Sequence, residues 1–340
     1  MSLPNIFSRL KDLDIPVVIA EIGNNHEGNL DIAEKMIISA SKTGVHAVKF
    51  QTFITKKYIS SSNKERFKKI KSFELSFKQF ERLKKVSDKH GVSFLSTPLD
   101  LESAEFLCSF CEDIKISSGD NTFWPLLDKI CQYGINIIIS CGLVNFEEID
   151  NIYEFIKEKR SLYATSGKLA LLHCTSEYPV EPENANLRVI PEMIDRYKTV
   201  IGFSDHSIGI QNSILASVLG AKIIEKHFTL DKNYSDFRDH KISADPNDLF
   251  NLIEELKQVE KILGSKTKRR SEKEQNQYEL FRRSAIAMDS MPAGTVLTKD
   301  KISWVRPAGS LSPEQEDTIV GKTLIKKIKS GHEITEKNLK

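Results

Sequence analysis

The sequence predicts a (β/α)8 barrel followed by a small β-rich domain. Three observations carry that prediction. Eight short runs rich in β-branched and apolar residues recur between Val17 and His227 of the 340-residue chain. Each is followed by a segment with helical spacing. Several runs are apolar at consecutive positions, as parallel strands covered by helices must be. Eight units over about 260 residues match the size of a closed barrel. The rival, an open doubly wound sheet, would carry a glycine-rich phosphate loop after its first strand. Gly23-Asn24-Asn25-His26-Glu27-Gly28 is not G-x-G-x-x-G.

The expected strands, in order, are Val17–Glu21, Ala47–Gln51, Ser93–Ser96, Ile114–Ile116, Asn136–Ser140, Leu169–Cys174, Val200–Ser204 and Ile223–His227. After the first, Leu30, Ala33, Met36, Ile37 and Ala40 fall on one helical face, with Asn29 placed to cap it. After the fifth, Asn145 and Glu148 form a capping-box pattern, each side chain able to satisfy an orphan backbone N–H. Gly44, Gly91, Gly134, Gly220 and Gly264 sit where helices should stop, because glycine accepts the left-handed turn beyond a last helical residue.

The composition changes at Gly264, giving three segments: a barrel over 1–264, a linker over 265–281 and a small domain over 282–340. Residues 265–280 are nearly all polar, and their basic cluster, Lys266 to Arg270, lacks interleaved aromatic residues. It reads as a solvated linker or linker helix rather than a nucleic-acid patch. Residues 291–302 line up with residues 328–339, pairing Gly294 with Gly331, Thr298 with Thr335 and Ile302 with Leu339. Two similar turn-and-strand units predict a compact, pseudo-symmetric β-rich domain with little core of its own.

Forty-nine basic and 47 acidic residues leave a formal charge of +2, which gives no electrostatic case for nucleic acid or an anionic membrane. No apolar stretch approaches the roughly 18 residues that span a bilayer. The N-terminal segment has no signal-peptide pattern, and five cysteines is an odd number at low density. A cytoplasmic enzyme is therefore expected. Cys108 and Cys111 form a C-x-x-C without a second pair nearby, and read as small core residues.

Active sites of such barrels lie at the C-terminal ends of the strands. Those ends carry Glu21, Lys49, Gln51, Ser96, Thr97, Lys115, Ser118, Ser140, His173, Thr175, Ser204, His206, Glu225 and His227. Packing alone does not account for so many charged groups and imidazoles, because buried charges need partners or ligands. His206 and His227 end neighbouring strands, so both can reach one metal ion. Glu21 is a third ligand, a base or a hydroxyl acceptor, and it can pair with Lys49 one strand over. Lys49 and Lys115, with Ser118, Ser140 and Ser204, make a cationic, hydroxyl-rich rim suited to a phosphate. His26 has either a metal or sugar role, or a loop-capping one. Cys141 and Cys174 read as small barrel residues, with no base placed to activate them.

Several segments together resemble the sialic acid synthase family: Ile19-Ala-Glu-Ile-Gly-Asn-Asn-His-Glu-Gly28, Val48-Lys-Phe-Gln51, Leu95-Ser-Thr-Pro98, Leu171-Leu-His-Cys-Thr-Ser-Glu-Tyr-Pro179, Gly202-Phe-Ser-Asp-His-Ser-Ile-Gly209 and Ile224-Glu-Lys-His-Phe-Thr-Leu-Asp231. The tail, with Arg282-Arg283-Ser284 and Val305-Arg-Pro-Ala-Gly309, resembles the antifreeze-like (SAF, β-clip) domain that ends those synthases. The resemblance spans nearly the whole chain, in order.

It implies an enzyme that condenses phosphoenolpyruvate with an N-acylated hexosamine-type aldose and releases phosphate. By the same resemblance, His206 and His227 are ligands of a divalent metal, Mn2+ with Mg2+ or Co2+ as substitutes, and Glu21 is an essential carboxylate near the sugar. Lys49, Thr97, Lys115, Ser118, Ser140 and Ser204 match the phosphoenolpyruvate pocket, with Gln51 and Glu225 beside it. Asp239 matches an aspartate that contacts the sugar. Arg306 matches an arginine that one subunit of a domain-swapped homodimer inserts into its partner's barrel. The sequence departs from the family pattern at Asn24 and Glu27, at Asp120 where glutamate is common, and over Asp236-Phe-Arg-Asp-His240. All three departures bear on the aldose, leaving N-acetylmannosamine and a 2,4-diacetamido-2,4,6-trideoxyhexose both open. Two alternatives are a synthase acting on a phosphorylated aldose, which would want a second basic cluster, and a non-catalytic carbohydrate-binding protein.

Overall fold

The computed structural model describes residues 4–165 and 167–340. The chain divides between Gly264 and Ser265 into two compact units.

The first unit is a barrel of eight parallel strands: β1 (Val17–Gly23), β2 (Ala47–Thr52), β3 (Ser93–Pro98), β4 (Asp113–Ile116), β5 (Asn136–Ser140), β6 (Leu169–Cys174), β7 (Val200–Asp205) and β8 (Ile223–His227). Hydrogen bonding runs in the order β3-β2-β1-β8-β7-β6-β5-β4, and β3 lies against β4 to close the ring. Helices alternate with the strands as the spacing predicts. Asn29 caps helix Leu30–Ser41, and Asn145 with Glu148 forms the capping box of helix Phe146–Lys159. The five predicted stop glycines all adopt positive φ. At Gly28 (φ +79°) glycine is required twice over, since a Cβ there would also run into the Ser72 carbonyl.

Side-chain parity decides what the barrel holds. Successive strand residues point to opposite faces, so alternate positions line the interior. Near the N-terminal ends these are Val17, Ile19, Ala47, Leu95, Ile138, Ala170, Leu172 and Ile223, which form one buried cluster with Ile6 and Phe7. Those last two come from helix Ile6–Asp12, which plugs the barrel floor. Each of the valine, leucine, isoleucine and phenylalanine side chains contributes roughly 1.5–3 kcal/mol on burial. The plug is fixed by a hydrogen bond from the Ile6 N–H to Asp113 Oδ2 (2.8 Å). The outward parity packs the larger core beneath the helices, Cys108, Cys111 and Cys131 included. Burial raises the Cys108 and Cys131 thiols to about 12, which makes them inert packing groups.

The second unit contains helix Glu272–Phe281, capped by Ser271 and burying no residue, followed by an antiparallel pair, β9 (Ser284–Ala287) and β10 (Ile302–Val305). The internal repeat is visible in the backbone. Gly294 and Gly331 both have positive φ, Thr298 and Thr335 each precede a single 3₁₀ turn, and Met291 bridges to Ile328. Its core is a small apolar cluster that includes Ala285, Leu297, Leu311, Leu324 and Ile334.

Candidate active site

Further along the strands the inward parity changes from apolar to polar. Ile19 gives way to Glu21, Ala47 to Lys49 and Gln51, Leu95 to Thr97, Ile138 to Ser140, and Ile223 to Glu225 and His227. Glu21, Lys49, Lys115 and Glu225 are each 4% exposed or less.

Burial forces these charges to pair. Lys49 Nζ lies 3.2 Å from Glu21 Oε1 and 3.2 Å from Glu225 Oε1, and it donates to Thr97 Oγ1 at 3.4 Å. Lys115 Nζ lies 3.4 Å from Glu225 Oε1 and donates to Ser140 Oγ at 2.6 Å. Ser204 Oγ donates to Glu225 Oε1 (3.1 Å), and Gln51 Nε2 to Glu21 Oε1 (3.3 Å). Two ammoniums and two carboxylates thus form one network with hydroxyls at its edge.

Its members titrate differently. Burial pushes Glu225 up, but Lys115 and Lys49 outweigh it and hold the carboxyl down to about 2. Burial opposes the charge on Lys49, yet Glu21 and Glu225 overcome that and raise it. Burial raises Glu21, with the charge of Glu225 adding to the effect, despite Lys49. Burial lowers Lys115 in spite of Glu225. The network therefore favours the charged forms of Glu225 and Lys49 and shifts Glu21 and Lys115 the opposite way.

The histidines adjoin this network. The His206 and His227 rings stand 5.3 Å apart, centroid to centroid. His206 Nδ1 is 2.9 Å from the Thr175 carbonyl, which can only accept, so Nδ1 carries a proton and Nε2 is the nitrogen left for a ligand. Burial first, then the His206 charge, holds His227 well below the usual imidazole range, so it stays neutral. His227 Nδ1 is buried with no hydrogen-bond partner among the described residues, as are Glu21 Oε2 and Glu225 Oε2. Burial opposes the charge on His206, but Cys174 and the Thr175 carbonyl outweigh it and raise that imidazole; with its proton released, the two rings at neighbouring strand ends suit a divalent metal. Among the described residues no group of three or more His, Cys, Asp or Glu side chains is arranged to hold one. Glu21 is held by Lys49 and Gln51 instead.

Ser118 Oγ accepts from the Gly142 N–H (3.1 Å) and reaches Cys174 Sγ (3.5 Å), which lies 3.8 Å from His206 Nδ1. Asp239 opens the short helix Asp239–Ile242, with Oδ1 3.2 Å from Arg238 Nε. Arg306 belongs to the second unit, where its guanidinium lies 5.4 Å from the Phe281 ring centroid.

His26 takes the loop-capping role. Its Nδ1 accepts from the Gly28 N–H (3.0 Å), and its ring lies near Phe50, on the outward parity of β2. Of the departures, Asn24 donates to Gln51 Oε1 (2.8 Å), Glu27 is bound by Ser235 and His240, and Asp120 accepts from Ser117 Oγ (2.6 Å).

Sequence reasoning assigned no role to Tyr178, whose ring lies 4.3 Å from His206 and 6.2 Å from His227. The Arg238 guanidinium lies 4.6 Å from that ring's centroid. The available signal was an aromatic residue four positions after a strand end, within a segment already singled out.

Comparison with known proteins places the chain in a defined context. The NeuB family model matches residues 36–268, and the SAF domain model matches residues 282–340. The N,N'-diacetyllegionaminic acid synthase of Campylobacter jejuni is 35% identical over 334 residues, covering 94% of this chain and 99% of that protein. The N-acetylneuraminate-9-phosphate synthase of Homo sapiens is 32% identical over 334 residues, covering 94% and 91%. The crystal structure of an N-acetylneuraminic acid (sialic acid) synthetase from Leptospira borgpetersenii, in complex with citrate, is 35% identical with a TM-score of 0.72. That match covers 77% of this chain and 90% of the other.

Proposed function

This chain belongs to the NeuB family, and we propose that it condenses phosphoenolpyruvate with an N-acylated hexosamine-type aldose and water. The products are a nine-carbon 2-keto acid and inorganic phosphate. The observation that carries this reading is the buried Lys49–Glu225–Lys115 network, edged by hydroxyls and set beside two facing imidazoles. That arrangement suits an anion and an aldehyde brought to one place.

His206 and His227 would hold the divalent metal, with Mn2+ the ion proposed and Mg2+ or Co2+ compatible with the same donors. When bound, such an ion supplies Lewis acidity to the aldehyde oxygen. Lys49 and Lys115, with Thr97, Ser118, Ser140 and Ser204, bind the phosphate and carboxylate of phosphoenolpyruvate, so its C3 methylene is held against the aldehyde carbon. A C–C bond forms there, and the cation left at C2 takes up water. The tetrahedral intermediate then loses phosphate by C–O cleavage. Glu21, with its raised pKa and its unpartnered Oε2, accepts a proton from that water or a sugar hydroxyl. Gln51 orients Glu21, and Asp239, Tyr178 and Arg238 line the sugar side.

The substrate follows from an aldose panel. Purified protein with Mn2+ and phosphoenolpyruvate should release phosphate with N-acetylmannosamine or a 2,4-diacetamido-2,4,6-trideoxyhexose. The Lys49 and Lys115 ammoniums both lie within 4 Å of Glu225, and Lys226 is paired with Asp205. Release with a 6-phosphorylated aldose alone would replace the aldose assignment. No release with any aldose would remove the proposal.

The second unit is proposed to act in trans, in a homodimer, with Arg306 directed at the substrate's N-acyl group. Residues 265–340 carry sixteen basic against ten acidic side chains, whereas residues 1–264 carry 33 against 37. Opposite net charge favours such docking. Mixing Glu21→Ala with Arg306→Ala, each inactive alone, should restore activity after subunit exchange, because the hybrid holds one site with both residues intact. Confirmed exchange without recovery would place the unit in cis. All five cysteines are free thiols, in keeping with a proposed cytoplasmic location, and among the described residues no helix is long and apolar enough to cross a membrane.

A further inference from the structure

We propose that Asp205 and Lys226 form a buried brace that sets the His206 and His227 imidazoles for metal binding; this rests on the metal reading above. The two residues face each other in the register of β7 and β8, and each immediately precedes one of the histidines. Parity sends the histidines inward and the brace outward, beneath helix Gln211–Val218.

The brace is fully enclosed. Lys226 Nζ lies 3.1 Å from Asp205 Oδ2, with side-chain exposures of 0% and 1%. Asp205 also accepts from Ser213 Oγ of the overlying helix (2.7 Å), from the Ser207 N–H (2.8 Å) and from Ser207 Oγ (2.6 Å). Lys226 donates to the Ser207 carbonyl as well. Ser207 is therefore tied at its N–H, its hydroxyl and its C=O, and His206 is fixed from both neighbours. The residue preceding His227 is fixed by the same pair.

Stability alone is a poor account of this arrangement. A well-packed apolar pair of the same volume is often neutral or more stabilising than a buried ion pair. Charge pairing and hydrogen bonds add direction, and directing two rings is what a two-histidine metal site requires. Removing the groups that orient metal ligands typically weakens metal affinity 10–100-fold. Neither residue touches the strand-end network, so both are positioning residues.

The test uses the full chain carrying Asp205→Asn with Lys226→Met, which removes both charges together and keeps an acceptor for Ser207. Lys226→Met alone is the companion variant. Mn2+ affinity is read by electron paramagnetic resonance, phosphoenolpyruvate affinity by calorimetry without metal, and folding by circular dichroism. The expected result is a folded double variant with Mn2+ binding at least about tenfold weaker and phosphoenolpyruvate binding within about twofold of wild type. Mn2+ binding within about twofold of wild type in that folded variant would overturn the brace and leave the metal reading standing. Equal loss of both affinities would also overturn it, because the pair would then support the whole barrel mouth. Wild-type protein that binds no Mn2+ would remove the metal reading and the brace with it.

Discussion

Stripping divalent metal with a chelator, or replacing His206 by alanine, should lower turnover by roughly 10³-fold or more. Lewis-acid stabilisation of a developing alkoxide is worth several kcal/mol, and each 1.36 kcal/mol is a decade in rate. The His206→Ala protein should remain folded, because the barrel core and the floor plug lie on other residues. Adding Mn2+ should restore the stripped wild type and leave His206→Ala inactive. Full turnover by protein shown to contain no metal would refute the role given to the two histidines.

Replacing Lys49 by methionine should damage both stability and activity, and a second substitution should separate the two. Among the described residues Lys49 is the only cation within 4 Å of Glu21, and it shares Glu225 with Lys115. Its loss leaves an uncompensated buried carboxylate, a change that typically costs 3–5 kcal/mol. It also removes a charged donor from the anion pocket, for which a loss of about 10²–10³ in rate is expected. Lys49→Met with Glu21→Gln restores neutrality, so its denaturant midpoint should recover most of the loss while turnover does not. A single variant with wild-type midpoint and wild-type kcat/KM would show that the charges are not coupled.

Much of this site is legible in the sequence because period-two alternation leaves little choice. Once Val17 and Ile19 face the interior, Glu21 must too, and the same parity carries Ala47 to Lys49 and Ile223 to Glu225 and His227. Strand-end chemistry thus follows from counting. What does not follow is any contact set by loops. His26 looked equally suited to a ligand or a capping role, and the Glu27–Gly28 turn, with φ values of 47° and 79°, accompanies the capping one. The approach of Arg238 to Tyr178 joins residues sixty positions apart, on loops whose paths no local pattern specifies. The Asp205–Lys226 pair lies between these cases, because parity places both on the outer face while only strand register makes them neighbours. In the second unit, the polar run after Gly264 indicates a linker. The local cap at Ser271, rather than any buried face, starts the helix found within it.

The most direct test of the account follows the bridging oxygen of phosphoenolpyruvate. Phosphoenolpyruvate labelled with 18O between C2 and phosphorus is incubated with the protein, Mn2+ and the aldose that gives phosphate release. Mass spectrometry then follows the label into the two products. Attack by C3 and addition of water at C2 predict that the label leaves in inorganic phosphate. The nine-carbon 2-keto acid should form in equal amount and carry oxygen from solvent at C2. Label retained in the keto acid, or phosphate released without keto acid, would contradict it.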